Sequence, residues 1–150
     1  MRTPLLFCLL LAIIPVSAQT PMPAAEIWHA GDLASALERE DPNRPGMAVS
    51  RLTNTDSYRI NLIRRTQPAG AILHEVGTEL HFITGGSGTL VTGGVIVRNG
   101  NGPGRIEGGT AQKVKQGDAV LVPEGTPHQY TEVDGFVSYL EVRLLENRAL

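Results

Sequence analysis

Residues 117–130 read GDAVLVPEGTPHQY, an apolar run of four residues followed by a turn and a histidine. An apolar run of this length between turn residues is typical of a short, buried β-strand. Upstream, residues 74–89 read HEVGTELHFITGGSGT and hold two of the four histidines of the chain beside two glutamates. The fold, and any site built on it, depend on whether these two stretches meet in space.

The pattern from residue 47 onward is that of an all-β domain. Short apolar and β-branched runs alternate with turn residues, and nine such runs in about one hundred residues predict a sandwich or a barrel. The predicted strands are residues 47–52, 58–65, 70–74, 79–84, 89–91, 95–98, 119–122, 129–133 and 137–144.

One short segment ahead of these strands has helical spacing. Residues 32–39 predict a helix with Asp32 as its N-cap. The apolar positions that share one face of this helix are Leu33, Ala36 and Leu37. We therefore expect an N-terminal segment at residues 19–46 that carries a short helix, followed by one β domain at residues 47–150.

A glycine-rich stretch interrupts the strands. Residues 99–109 read NGNGPGRIEGG, which is too rich in glycine for a strand. This composition predicts a long, mobile surface loop that is a candidate lid.

Residues 75–78, with Gly77 in the turn, predict a hairpin. If a four-residue loop closes it, His74 lies opposite Glu79 and Ile72 lies opposite His81. Side chains two apart on a strand share a face, so these four would line one side of the sheet.

Together the two stretches resemble the two sequence motifs of the cupin family. The first motif ends in a glutamate, six residues and a glycine, as the chain does from Glu79 to Gly86. The second runs as a glycine, five residues, Pro-x-Gly, two residues and a histidine, and residues 117–128 match it without a gap. The resemblance covers about residues 66–132. It implies an all-β fold, the cupin-type double-stranded β-helix or jelly-roll barrel, with the short N-terminal helix in front.

The chain departs from these motifs at two positions. Ile72 stands where the family has its first histidine, and Glu132 stands in place of a final asparagine. The resemblance therefore implies three metal ligands, which are His74, Glu79 and His128. Under the hairpin register, His81 lies across from Ile72 and supplies a fourth ligand.

Two neutral imidazoles and a carboxylate are a common ligand set for a divalent first-row metal, and they leave positions open for water, substrate or dioxygen. Other roles remain open for two of these residues. Glu79 can instead orient His74 without touching the metal, and His81 can be a strand histidine satisfied by a hydrogen bond. His29, which precedes the sheet, is expected to be a surface or core residue.

Some further side chains are candidates to line a cavity. Arg64 and Arg65 alternate faces, so one of them can point inward and pair with an anionic ligand, although a solvated strand edge is the default for both. The aromatic candidates, each with two possible faces, are Tyr58, Phe82, Tyr130 and Tyr139.

The N-terminus has the features of an export signal. Arg2 precedes an apolar run, residues 5–16, that is too short to span a bilayer, and Ser17-Ala18 suits a cleavage site. We expect residues 1–18 to be removed, leaving a secreted or periplasmic chain of about 132 residues that is not attached to a membrane. Cys8 lies in this signal, so the mature chain would have neither disulfides nor thiolate ligands.

Charge disfavours one class of partner. Removing Arg2 leaves 12 of the 13 basic residues against 15 acidic residues, a net charge of about −3. No basic cluster is larger than Arg64-Arg65. Nucleic acid is therefore not an expected partner.

The export signal and the resemblance to cupins together imply an exported metalloenzyme that acts on a small, oxygen-bearing organic molecule, as an oxygenase, an isomerase or a lyase would. The alternative is a non-catalytic cupin that binds a small ligand, with Ile72 marking a degraded metal site. A protein that folds after export collects its metal outside the cytoplasm, where the affinity order favours copper or zinc over iron or manganese. The resemblance also implies a homodimer.

Overall fold

The computed structural model describes residues 20–145, so the predicted signal at residues 1–18 lies outside the described part of the chain. One helix precedes the strands in this part. The elements are α1 (Ala30–Ala36), β1 (Met47–Asn54), β2 (Tyr58–Arg65), β3 (Thr78–Thr92), β4 (Val95–Val97), β5 (Arg105–Glu107), β6 (Thr110–Lys115), β7 (Ala119–Val122) and β8 (His128–Leu144).

The main sheet is antiparallel and has the order β1-β2-β8-β3-β6, with β7 paired to β3. β3 and β8 are its long central strands, with 15 and 17 residues. The first half of β3 lies between β7 and β8, and the second half lies between β6 and β8. β4 and β5 form a separate hairpin.

Register shifts bend the two long strands. They fall between Ile83 and Gly85, between Gly86 and Gly88, and between Thr89 and Leu90. Because bulges of this kind bend a strand and increase its twist, β3 and β8 curl rather than forming a flat ribbon. The predicted all-β jelly-roll architecture is therefore confirmed.

Several predicted strands are corrected by these bends. The predicted strands at 79–84 and 89–91 are one strand, β3, and those at 129–133 and 137–144 are likewise one strand, β8. The glycines between the predicted pairs bend the ladder without ending it, since the bulges keep both halves hydrogen-bonded. β2 and β7 have the predicted bounds.

Three other segments differ from the prediction. Residues 70–74 form no strand, and only Ile72 makes an isolated bridge, to His128. The predicted loop at residues 99–109 contains β5, whose three residues pair with β4. β6 was not predicted, because its sequence, TAQKVK, has one buried residue, Val114, and so lacks an apolar alternation.

The N-terminal helix is shorter than predicted and begins earlier. Its N-cap is His29, whose carbonyl accepts the backbone N–H groups of Asp32 and Leu33. Asp32 is therefore in the first turn, where its negative charge suits the helix dipole. No helix in the described part of the chain is long and apolar enough to cross a membrane.

The core lies between the two long strands and their neighbours. Its buried members are Ile63, Ile83, Leu90, Val114, Tyr130, Val137 and Tyr139. Two of these are tyrosines, so the core carries hydroxyl groups next to the polar cluster described below.

Candidate metal centre

Side chains alternate between the two faces of β3, and its polar side chains at positions 79 and 81 point inward. Glu79, His81 and Ile83 are buried, whereas Leu80 and Phe82 between them are exposed. Glu79 and His81 are each only 1% exposed. Buried polar side chains need partners, and the strands on either side of β3 provide them.

His128 enters the cluster from the first residue of β8. Its Nδ1 is 3.1 Å from the carbonyl oxygen of Thr126, so the ring donates to that carbonyl through Nδ1–H. This hydrogen bond leaves Nε2 with its lone pair, 3.5 Å from Glu79 Oε2. An imidazole held by a backbone carbonyl in this way is oriented as a metal ligand is.

His74 reaches the cluster by a route that differs from the predicted hairpin. Ile72 exchanges two backbone hydrogen bonds with His128, and the His74 carbonyl accepts the N–H of Gly125. The segment before β3 is therefore anchored to the end of the β7–β8 connection and not to β3. The predicted pairs of His74 with Glu79 and of Ile72 with His81 are wrong, because strand β7 occupies the edge of β3.

The two stretches of sequence nevertheless meet at Glu79. His74 Nε2 is 3.2 Å from Glu79 Oε1, and His81 Nε2 is 3.0 Å from Glu79 Oε2. One ligand atom from each of His74, Glu79 and His128 lies within 4.8 Å of the others, which is close enough for one ion. The rings of His74 and His128 are 5.6 Å apart between centroids.

His81 is engaged on both sides of its ring. Its Nε2 bonds to Glu79, and its Nδ1 is 3.4 Å from the hydroxyl of Tyr130. The ring also stacks on Tyr139, with the centroids 4.7 Å apart. A second possible ion-binding group, which shares Glu79, consists of Glu79, His81 and Glu141.

Two charged residues of β8 belong to the cluster but were not singled out from the sequence. Arg143 lies opposite Glu79 in the ladder, and its Nη2 is 2.9 Å from Glu79 Oε1. Glu141 lies opposite His81 and accepts a hydrogen bond of 2.9 Å from Asn61. Their spacing in the sequence could have indicated this position, since two charges two residues apart within an apolar strand share its inner face.

Burial sets the protonation of the two outer histidines. It lowers the pKa of His74 and of His128, so both rings are neutral near pH 7 and have lone pairs to offer. Burial alone would raise the pKa of Glu79. The hydrogen bond with His81 opposes this effect most strongly. The charges of His128 and His74 once they are protonated, and the permanent charge of Arg143, act in the same direction, so the pKa of Glu79 is lowered overall.

The donor set fits a divalent first-row metal. It combines neutral imidazole nitrogens with an ionised carboxylate, which is the mixture that such metals bind. Glu79 Oε1 is buried and makes no well-aligned hydrogen bond among the described residues, although two cationic or imidazole groups lie near it. A buried carboxylate oxygen with lone pairs to spare is what a cation would use.

A cavity of about 790 Å³ opens beside the cluster. Of the sequence candidates, Arg65, Tyr130 and Tyr139 line it. Tyr58 and Phe82 are 41% and 46% exposed, and Arg64 lies over the ring of Phe136 on the outer face. His29 is exposed and does not line the cavity, which agrees with the prediction.

Comparison with solved structures identifies the architecture. A protein from Neisseria meningitidis, NMB1881, superposes with a TM-score of 0.56 at 13% identity over 79% of this chain and 99% of its own. A cupin superfamily protein from Desulfitobacterium hafniense superposes with a TM-score of 0.50 at 16% identity over 72% of this chain and 82% of its own. The chain has the cupin fold.

Among cupin-fold structures, the iron(II) form of HppE has a TM-score of 0.53 at 17% identity. The match covers 66% of this chain and 51% of HppE, so the chain spans about half of that protein. No family model matched the sequence. No curated protein matched it either.

In this cupin barrel, Ile72 offers the cluster no ligand side chain, although the residue lines the cavity. Its side chain is 40% exposed, and its N–H and carbonyl bond to His128. Glu132, at the second departure from the motif, is exposed and accepts a hydrogen bond from Thr89. The His/Glu cluster is therefore built from His74, Glu79, His81 and His128, with Arg143 and Glu141 beside it.

Proposed function

We propose that the protein is an exported metal-binding cupin that acts on a small, oxygen-bearing organic molecule in the cavity beside the cluster. The observation that carries this proposal is the convergence of three imidazoles on one buried carboxylate, Glu79. We propose His74, Glu79 and His128 as metal ligands. His81 belongs to the same site, as a fourth ligand or as the group that orients Glu79.

The reaction class we propose is that of an oxygenase or of an isomerase or lyase. A divalent metal bound here would supply Lewis acidity toward oxygen atoms of the substrate. The protein residues hold the carboxylate and the neutral imidazoles in place, and Thr126 fixes the ring of His128. The cavity wall determines which molecule reaches them.

A specific observation also favours the alternative, a non-catalytic cupin that binds a small ligand. Arg143 already supplies a positive charge to Glu79, and Ile72 offers no ligand atom where the motif has a histidine. In this case the cluster would be a structural ion-pair network, and the cavity alone would bind the ligand.

Elemental analysis separates the metal-binding enzyme from the non-catalytic alternative. The purified protein and its His29→Ala variant should carry near-stoichiometric metal, whereas His74→Ala and His128→Ala should lose most of it. His29 is the matched control because it is exposed and outside the cluster. Equal retention in all four proteins would place the metal elsewhere, and no metal even after reconstitution would favour the alternative.

We further propose that the bound metal is copper or zinc. The proposal rests on export, because a chain that folds outside the cytoplasm acquires its metal where affinity decides between ions. Iron or manganese in protein isolated from its native compartment would contradict it. N-terminal sequencing of that protein tests the export step, and a first residue at Gln19 is expected.

A homodimer is also proposed. Leu80 and Leu121 face each other across β3 and β7, and both are exposed together with Phe82. These three side chains supply an apolar face on the outside of the barrel, which a second copy would cover. Light scattering should show a dimer, and Leu121→Asp should shift it toward the monomer.

A further inference from the structure

Arg65 is a buried cation on the wall of the cavity. It ends β2 and is only 8% exposed. Its Nε donates a hydrogen bond of 3.0 Å to the hydroxyl of Tyr139, and its guanidinium lies over Tyr130, with Cζ 5.6 Å from the ring centroid. These contacts hold the guanidinium plane and leave the two Nη groups for another partner.

No carboxylate within residues 20–145 lies at ion-pair distance from Arg65, although two of the other three arginines of the cavity wall have such partners. Arg44 pairs with Asp41, and Arg143 pairs with Glu79. Burying a guanidinium without a counter-charge is unfavourable, because the ion loses water and gains no partner. An anion in the cavity would supply the missing partner.

The rest of the cavity wall also favours an anion. Four arginines line the cavity, against one carboxylate, that of Glu141. Glu141 is already engaged by Asn61 and lies 3.6 Å from Arg143. The hydroxyl of Tyr139 accepts from Arg65 and so keeps its own proton to donate.

The tyrosines cannot serve as the counter-ion. Burial raises the pKa of Tyr139 to about 12, and it raises the pKa of Tyr130 as well. Both hydroxyls therefore remain neutral over the physiological range, and they act as hydrogen-bonding groups only.

We propose that the ligand of this cavity is a small organic carboxylate, held by Arg65 through its two Nη groups and by the hydroxyl proton of Tyr139. A guanidinium whose Nη groups are free suits the two oxygens of a carboxylate. The same cavity is bordered by His74, His81 and His128, so the far end of the ligand faces the His/Glu cluster. Only the orientation of the ligand toward the cluster rests on the proposed function. The carboxylate site is inferred from the contacts of Arg65 alone.

Calorimetric titration of the purified, metal-free protein tests the proposal with pairs of charged and neutral probes. The pairs are succinate with succinamide, benzoate with benzamide, and acetate with acetamide. At least one carboxylate should bind tenfold or more tightly than its amide. The same titrations with zinc-loaded protein, together with its metal content, separate failure of the metal site from failure of the anion site.

Arg65→Gln should weaken binding of that carboxylate at least tenfold and leave amide binding unchanged. The matched control is Arg64→Gln, one residue away on the same strand with its guanidinium 4.9 Å from the Phe136 ring on the outer face. This control should bind the carboxylate within twofold of the parent. Because Arg65→Gln removes an uncompensated charge, the ligand-free variant should unfold at the same temperature as the parent or higher.

Tyr139→Phe provides a second variant if Arg65→Gln does not fold. It keeps the ring that stacks on His81 and removes only the hydroxyl, so it should weaken carboxylate binding severalfold. Equal binding of carboxylates and amides, parent-like carboxylate binding by both variants, or preference for inorganic phosphate over every carboxylate would overturn the proposal.

Discussion

Glu79 and Arg143 lie directly opposite each other on β3 and β8, with Arg143 Nη2 2.9 Å from Glu79 Oε1. Arg143 thus places a permanent positive charge beside the central carboxylate of the cluster. Its guanidinium compensates the buried charge of Glu79 in the metal-free protein, and a metal ion would have to share that carboxylate with it.

Replacing Arg143 should therefore lower the stability of the metal-free protein and increase the stabilisation that zinc provides. Arg143→Gln leaves a buried carboxylate without its fixed cation, and we expect the metal-free variant to lose about 3 kcal/mol of unfolding free energy. Because zinc then replaces the missing charge, zinc should raise the unfolding temperature more in this variant than in the parent. Thermal denaturation with and without zinc measures both effects.

The control for this prediction is Arg51→Gln, since Arg51 is an exposed residue of β1. It should unfold as the parent does in both conditions. An equal zinc-induced shift in Arg143→Gln and the parent would show that Arg143 and the metal do not share Glu79.

Substitution of His81 should distinguish its two possible roles. His81 bonds to Glu79 through Nε2 and to Tyr130 through Nδ1, so its ring is satisfied within the protein. If it orients Glu79, His81→Ala should weaken zinc affinity about tenfold, and His81→Gln, which can still donate to Glu79, should recover part of the loss. Competition titrations with a chromophoric chelator measure the affinity.

His128→Ala is the reference variant in the same chelator titration. His128→Ala removes an Nε2 that faces Glu79 and should abolish tight binding. A loss in His81→Ala as large as in His128→Ala, with no recovery in His81→Gln, would make His81 a metal ligand. Unchanged affinity in His81→Ala would remove it from the site.

Acidification should destabilise the metal-free protein. Burial lowers the pKa of His74 and His128 below their usual value of 6.5, so the unfolded chain binds more protons than the folded one in mild acid. The free energy of unfolding is then unaffected well above pH 6.5 and falls as the pH drops below it, by at most about 1.4 kcal/mol per pH unit for each proton taken up. The lowered pKa of Glu79 acts in the same direction at lower pH, because its contribution is lost as the pH falls through its folded value.

Urea denaturation between pH 8 and pH 5 measures this slope. The His74→Ala/His128→Ala double variant should show a shallower dependence between pH 6.5 and pH 5, whereas exposed His29→Ala should keep the parent slope. A parent slope in the double variant would mean that other groups cause the acid sensitivity.

Gly86 should be the glycine of the first motif that tolerates substitution least. Its φ is +69°, and a Cβ there would lie 1.9 Å from the carbonyl oxygen of Phe136. Gly93 has a similar φ of +77°, but a Cβ there would have no atom within 4 Å. Gly93→Ala should therefore cost only the conformational strain of about 1–2 kcal/mol, and Gly86→Ala should cost clearly more because the strand must move. Equal costs in urea denaturation would contradict the crowding at Gly86.

Local sequence determined much of the barrel. The period of two predicted that Glu79 and His81 share one face of the sheet, and the structure buries both side chains on the same face of β3. The spacing of the second motif likewise singled out His128, which the structure buries at the first position of β8. Such features depend on neighbouring residues and on backbone preferences, so they are readable from the chain alone.

Tertiary structure alone decided which strands are neighbours of these residues. His74 joins Glu79 because Ile72 bridges to His128, more than fifty residues away, and not through the predicted hairpin. Arg143 and Arg65 gain their roles in the same way, since their partners Glu79 and Tyr139 come from other strands. Register between distant strands depends on how β7 and β8 pack against β3 at once, and no local preference of a single segment encodes that choice.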